Sequence, residues 1–168
     1  MTGARDSAAA VAATFGPAVV GQVESCGDVI VSVAADRSHA ILAWLRDTAG
    51  QEFNYLTDLT AVDYRDPGQP LEVVYQLRSL RRKVDLRLKV PLDKTGALEV
   101  DSVFDLWRGA DWLEREVFDM FGIVFTGHPD LRRILMPDEF TAFPLRKDYP
   151  LKGRGERHNF PVITRAES

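Results

Sequence analysis

The stretch Leu71-Glu72-Val73-Val74-Tyr75-Gln76-Leu77, followed after a basic turn by Val84-Asp85-Leu86-Arg87-Leu88-Lys89-Val90, decides the fold. Leu71, Val73, Tyr75 and Leu77 alternate with Glu72, Val74 and Gln76, and Val84, Leu86, Leu88 and Val90 alternate with Asp85, Arg87 and Lys89. Successive strand side chains point to opposite faces. Period two with one largely polar face therefore predicts antiparallel strands packed on their other side. The intervening residues 78–83 are basic and read as a solvated hairpin tip, with an acidic ligand as the alternative.

Upstream, an Ala-rich stretch predicts a short amphipathic helix, too short and too weakly apolar for a signal-peptide core. After Pro17, residues 18–26, a Gly27-Asp28 turn and residues 29–33 read as a hairpin. Asp36 or Ser38 can cap a helix to about residue 49, with Ile41, Leu42, Trp44 and Leu45 as its apolar face and Gly50 at its stop. A strand over 59–64 ends in the turn Asp66-Pro67-Gly68. Downstream, residues 103–107 and 112–121 read as helical. Asp111 is the expected N-cap, Glu114 reaches back to it, and Gly122 is a left-handed stop. A short strand at 123–125 follows. The fold class is α/β of the α+β kind, a small, mostly antiparallel sheet packed with helices and followed by an extended C-terminal tail.

The chain has 168 residues, 45% hydrophobic and 27% charged, with a net charge of −4 and a single cysteine, Cys26. This length suits one domain burying roughly two-thirds of its unfolded surface. One cysteine builds neither a disulfide framework nor a thiolate metal site, and mild acidity argues against a phosphate-reading nucleic-acid binder. No apolar run approaches the ~20 residues of a membrane span. The charge is uneven. Residues 1–127 carry 13 Lys/Arg against 19 Asp/Glu, whereas 128–168 carry 8 against 6 and hold five of the nine prolines. The expected division is an α/β body at 1–127 and an extended Pro/Arg-containing tail at 128–168. The last 32 residues, fully extended, would reach ~100 Å, against a body ~35 Å across. Such a tail wraps its own body or reaches over another subunit. Its Phe140, Phe143, Tyr149 and Phe160, interleaved with Arg146, Lys147, Lys152, Arg154 and Arg157, have the composition of an interface anchor.

Glu114, Arg115, Glu116 and Asp119 form the densest ionisable cluster. Paired carboxylates can do acid–base work or hold a metal, but no His or Cys shares this helix. The structural alternative makes Glu114 a cap, Arg115 and Asp119 an i,i+4 pair, and the polar side a docking face. His128 lacks a nucleophile to activate, and the three histidines have no zinc spacing. Arg132 and Arg133 can grip a phosphate or a carboxylate, with ion pairing to a protein surface as the alternative. No phosphate-cradling glycine loop is present.

The run Glu114-Arg115-Glu116-Val117-Phe118-Asp119-Met120-Phe121-Gly122-Ile123, continued by His128-Pro129-Asp130-Leu131-Arg132-Arg133-Ile134-Leu135-Met136 and by Pro144-Leu145-Arg146-Lys147-Asp148-Tyr149-Pro150, resembles the signature of the C subunit of respiratory NADH:quinone oxidoreductase, complex I. The resemblance covers nearly the whole chain. It implies a peripheral-arm subunit on the cytoplasmic side of the cell membrane, a cofactor-free scaffold for electron transfer from NADH to quinone, with FMN, iron–sulfur clusters, NADH and quinone all on other subunits. It implies docking on the quinone-site D subunit, with the B and I subunits nearby, and no catalytic or metal-binding residue in this chain. Within it, Glu116 and Asp119, with Glu114 and His128 beside them, would face the D or the B subunit. Arg132, Arg133, Arg146 and Lys147 would pair with acidic partner surfaces, and Pro144, Tyr149 and Phe160 would anchor the tail. Truncation after Gly127 is expected to leave a folded body that no longer co-purifies with the quinone-site subunit. The equivalent subunit of a membrane-bound hydrogenase or formate hydrogenlyase shares this module. A metal-dependent hydrolase using Glu114, Glu116 and Asp119 is the reading from another class.

Overall fold

The alternation of residues 71–77 and 84–90 builds the centre of the molecule. The computed structural model describes residues 3–156. Along the chain, helix α1 (Ala4–Phe15) leads through a short 3-10 turn to strands β1 (Val19–Ser25) and β2 (Asp28–Val33) and helix α2 (Ala35–Asp47). Strands β3 (Tyr55–Val62), β4 (Leu71–Ser79), β5 (Val84–Leu92) and β6 (Glu99–Asp101) follow, then helix α3 (Ala110–Phe121) and strand β7 (Val124–Thr126). β4 and β5 pair without a register break, from Leu71 opposite Leu92 to Ser79 opposite Val84. Their apolar set, Leu71, Val73, Tyr75, Leu77, Leu86, Leu88, Val90 and Leu92, is buried. The alternate face carries Glu72, Gln76, Arg87 and Lys89, tied across strands by Lys89–Glu72 at 2.7 Å and Arg87–Gln76 at 3.0 Å.

The five strands lie in the order β1-β2-β5-β4-β3, and β6 pairs with β7 in a separate parallel ribbon. Three neighbour pairs of the main sheet are antiparallel, while β2 and β5 run parallel. Burial alternation says that a strand has one covered face but not which strand lies beside it, so this pairing is invisible in the sequence. Helices α1, α2 and α3 supply Val11, Ile41, Leu42, Leu45, Val117 and Phe121 to the same core.

Local details shift from expectation where turn chemistry decides them. The β1–β2 turn is Cys26-Gly27, one residue earlier than read, because Ser25 pairs with Asp28. Both turn residues have positive φ, 53° and 88°, the handedness that matches strand twist. Helix α2 begins after Ala34 with no side-chain cap, and the Ser38 hydroxyl donates back to Ala35 O at 2.8 Å. Residues 103–107 form a turn closed by Trp107 N–H to Val103 O at 2.9 Å, not a helix. Helix α3 starts at Ala110 with Gly109 at its cap position, so Asp111 lies in the first turn. The basic β4–β5 loop is not wholly solvated. Arg82 donates to Gln51 O at 2.7 Å and Ser7 Oγ at 2.9 Å and stacks over Phe53, joining three segments.

Gly122 ends α3 as expected, in the left-handed conformation at φ 77°, with its N–H donated to Phe118 O. A side chain there would meet a second obstacle. A Cβ would stand 2.6 Å from the Phe143 ring, which lies directly on the glycine. We expect Gly122→Ala to cost about 2–4 kcal/mol, combining left-handed strain with overpacking. Urea denaturation measures it, and the Gly122→Ala/Phe143→Ala pair should cost less than the two single changes summed. Strict additivity would mean that the ring contact carries no energy.

Candidate functional site

Helix α3 is amphipathic in an uncommon way, because two of its carboxylates belong to the buried side. Val117, Met120 and Phe121 are buried, and so are Glu114 and Asp119, both with 0% exposure. A buried carboxylate persists only where donors replace its lost water.

Asp119 is supplied by the segment that crosses the helix. Its Oδ1 accepts from Arg133 Nη1 at 2.6 Å, and its Oδ2 accepts the backbone N–H groups of Ile134, Leu135 and Met136 at 3.1, 2.7 and 2.8 Å. Burial alone would push the Asp119 carboxyl up, but these amides and the guanidinium outweigh it and hold the carboxyl below the usual Asp range. Arg133 also donates to Ala142 O and lies over the rings of Phe140 and Phe143. Arg115 does not pair with Asp119 as an i,i+4 ion pair. Its guanidinium donates to the carbonyls of Arg132 and Arg133, each at 3.2 Å.

The same segment is fastened at two further points. Leu145 N–H donates to Met120 O at 3.1 Å, filling a carbonyl left open at the helix end, and Lys147 N–H donates to Asp63 Oδ2 at 2.7 Å. Phe140 is buried and meets Tyr149 edge-on at 5.7 Å between centroids. Residues 128–149 are thus a strap laid over the body's own helix.

Glu114 anchors the opposite end of α3. It accepts from Ser102 Oγ at 2.6 Å and from Val103 N–H at 2.7 Å, tying the helix to the β6 ribbon rather than capping itself. Burial pushes its carboxyl up, and the Ser102 and Val103 bonds, with the nearby His128, only partly offset this. The His128 side chain is buried 3.9 Å from Glu114 and 3.3 Å from Asp111. Because Asp130 N–H donates to His128 Nδ1 at 3.1 Å, the neutral ring carries its proton on Nε2, which faces Asp111 O at 3.2 Å.

The expected docking residues therefore divide. Glu114, Asp119, His128 and Arg133 point inward and are engaged by their own chain. Glu116 is exposed, Arg132 is exposed and paired with Asp130 at 2.8 Å, and Arg146 is paired with Asp148 at 3.1 Å. Pro144 and Tyr149 are half-buried, and the Lys147 side chain is exposed. Phe160 lies outside the described residues. Sequence reading missed Asp63, which is 84 residues from its partner Lys147 and carries no local signal. It also missed Trp112, 69% exposed, and Leu135, 63% exposed, as the apolar members of the outward surface. Among the described residues no group of three or more His, Cys, Asp or Glu is placed to hold a metal ion.

Fold and site together define a small α/β protein whose helix α3 is held by two buried carboxylates, Glu114 to the β6 ribbon and Asp119 to the strap. Residues 31–155 match the family model described as "Respiratory-chain NADH dehydrogenase, 30 Kd subunit". The chain is 45% identical over 139 residues to the C subunit of the NADH-quinone oxidoreductase of Citrifermentans bemidjiense, covering 83% of this chain and 84% of that one. It is 48% identical over 145 residues to the C/D protein of the NADH-quinone oxidoreductase of Acidiphilium cryptum, covering 81% of this chain and about a quarter (24%) of that longer protein. A solved structure described as "Nqo5 of the trypsin-resistant fragment (1-134) in P63 form" superposes with a TM-score of 0.59 at 32% identity, over 66% of this chain and 89% of the fragment. The chain belongs to the family of the 30 kDa subunit of respiratory-chain NADH dehydrogenase.

Removal of the strap should not leave the intact body expected of a truncated chain. A chain ending at Gly127 lacks the guanidinium and three amides that satisfy Asp119, and the Phe143 ring that lies on Gly122. Asp119→Ala should likewise cost about 3–5 kcal/mol, because Arg133 keeps a buried charge without its carboxylate. Urea denaturation reads the loss, and faster tryptic cleavage after Arg132 and Arg133 reads strap release.

The two carboxylates also respond to pH with opposite signs. The contribution of Asp119 is present above the unfolded Asp value of about 3.9 and fades as pH falls through its lowered folded value. The contribution of Glu114 is full below the unfolded Glu value of about 4.3 and fades as pH rises through its raised folded value. Glu114→Gln, which keeps an acceptor for Val103, should therefore gain in Tm on the wild type as pH rises above the unfolded Glu value of about 4.3. Parallel Tm profiles would exclude a titrating Glu114.

Proposed function

We propose that this chain is the C subunit of a proton-translocating NADH:quinone oxidoreductase and serves it as a cofactor-free scaffold of the peripheral arm. The observation that carries this reading is the inward engagement of Asp119 and Glu114. The residues that sequence alone offers to a catalyst hold α3, the strap and the β6 ribbon in one piece. A hydrolase using Glu114, Glu116 and Asp119 loses its support, since two of the three carboxylates are buried in fixed hydrogen bonds. The family membership and the relatives named for the same subunit favour the NADH-linked complex over a hydrogenase.

Outward surface remains for partners. Trp112 and Glu116 lie one turn apart on α3, and the exposed Leu135 follows from the strap amide bonded to Asp119. An aromatic anchor beside charged and aliphatic neighbours has the composition of interface hot spots. Arg132, Arg146, Lys147, Pro144 and Tyr149, exposed or half-buried along the strap, would add to the partner contacts. The Acidiphilium cryptum relative joins C and D in one polypeptide, which supports the quinone-site D subunit as the principal neighbour, with the B and I subunits next to it. FMN, iron–sulfur clusters, NADH and quinone would reside on other subunits. No described helix is long and apolar enough to cross a membrane, so attachment at the cytoplasmic face would come through the assembled complex. A scaffold matters there because electron transfer needs fixed distances between redox centres.

Affinity purification of the tagged full-length chain from native membranes, with identification of bound subunits, tests this. The D, B and I subunits are the expected companions, and Trp112→Ala with Glu116→Arg should lower their recovery without moving the Tm of the isolated chain. Hydrogenase subunits in their place would overturn the assignment.

A further inference from the structure

A concavity of about 410 Å³ opens between the end of β3, the turn after β5 and the strap, lined by Asp63, Tyr64, Arg65, Pro67, Leu71, Lys94, Arg146, Lys147 and Asp148. Four cationic side chains from three chain segments meet two carboxylates there. The carboxylates are already taken. Asp63 is nearly buried and ion-paired with Lys94 at 2.6 Å, and its other oxygen accepts the Lys147 amide. Asp148 pairs with Arg146 at 3.1 Å. Among the described residues, neither Arg65 nor the Lys147 ammonium has a carboxylate partner. Lys147 Nζ reaches only Leu145 O among them, at 3.5 Å.

The charge that is left over is therefore positive and concentrated. The Asp63 carboxyl stays ionised because Lys94 and the Lys147 amide outweigh the effect of its burial, so the internal pair does not loosen at neutral pH. Tyr64, Pro67 and Leu71 give the concavity an apolar wall behind its cations. An apolar wall with two free cations at the rim suits a polypeptide segment carrying Asp or Glu beside a hydrophobic residue. Arg65 can take a carboxylate in two-point geometry, and Lys147 supplies a mobile point charge.

We propose that this concavity is a docking site for an acidic segment of another subunit of the same assembly, gripped by Arg65 and Lys147. This rests on the functional reading above. The strap itself contributes Arg146, Lys147 and Asp148, so the site exists only when the strap is seated. The Asp63–Lys147 fastening then couples strap closure to partner recognition.

Zero-length carbodiimide cross-linking of the purified complex tests the contact, because it joins a lysine to a carboxylate only where the two already touch. The expected product is an isopeptide from Lys147 to an Asp or Glu of a second subunit. Arg65→Glu alone should match the wild type in Tm, and the double variant Arg65→Glu/Lys147→Glu, which also removes the charge that Lys147 lends to the Asp63 carboxylate, breaks no ion pair among the described residues. Its recovery with the complex should fall about tenfold or more at low salt, as like charges replace complementary ones. Lys147 cross-linked only within its own chain, or unchanged recovery of the double variant, would overturn the proposal. So would binding of inorganic phosphate or anionic lipid vesicles that is lost in the variant while recovery stays normal. If the wild-type chain brings down no other subunit at all, the functional reading fails first and this one with it.

Discussion

One carboxylate organises the functional half of this protein. Asp119 accepts four donors from a segment that follows it by 14 to 17 residues, and all four lie in the strap. Burying a charge is costly unless paired and hydrogen-bonded groups replace the solvent, and three consecutive amides with a guanidinium do so here. The arrangement is demanding in both directions. The strap has no regular structure of its own to orient those amides, and the other buried carboxylate of the helix, Glu114, is taken by Ser102 and Val103. Phe143 on Gly122, Leu145 on Met120 and Lys147 on Asp63 are secondary fastenings that extend the path fixed at Asp119.

The β-strands were legible because one covered face imposes alternation over seven residues at a time. Leu71 to Leu77 and Val84 to Val90 carry that signature whatever lies beyond them. The neighbours of those strands were not legible. Nothing in residues 28–33 says that β2 will run parallel to β5, since pairing across 57 positions is set by the whole sheet. Gly122 was readable as a helix stop because left-handed geometry favours a residue without Cβ. Its second role under Phe143 needs the path of the strap.

The candidate site shows the same divide more sharply. The motif from Glu114 to Asp119 looks like a polar helix face, because charged residues are usually solvated and the rule that buried charges are paired names no partner. Arg133, Ser102 and Val103, which complete those carboxylates, lie 11 to 14 residues away in segments with no regular pattern. Charge composition marks the cluster but does not say which of its side chains turn inward, as Glu114 and Asp119 do, and which outward, as Glu116 does. The basic balance of residues 128–168 reads as recognition chemistry, and Arg133 within it meets the protein's own helix.

The order of these parts along the chain bears on how the molecule is made. Asp63 and Asp119 both precede the strap, and in a protein synthesised from its N-terminus the acceptors emerge before their donors. Until residues 133–136 appear, the Asp119 carboxylate lacks the four donors it has in the folded chain and must stay hydrated. The nascent body thus passes through an open state in which that carboxylate faces water. Emergence of the strap is what seals it.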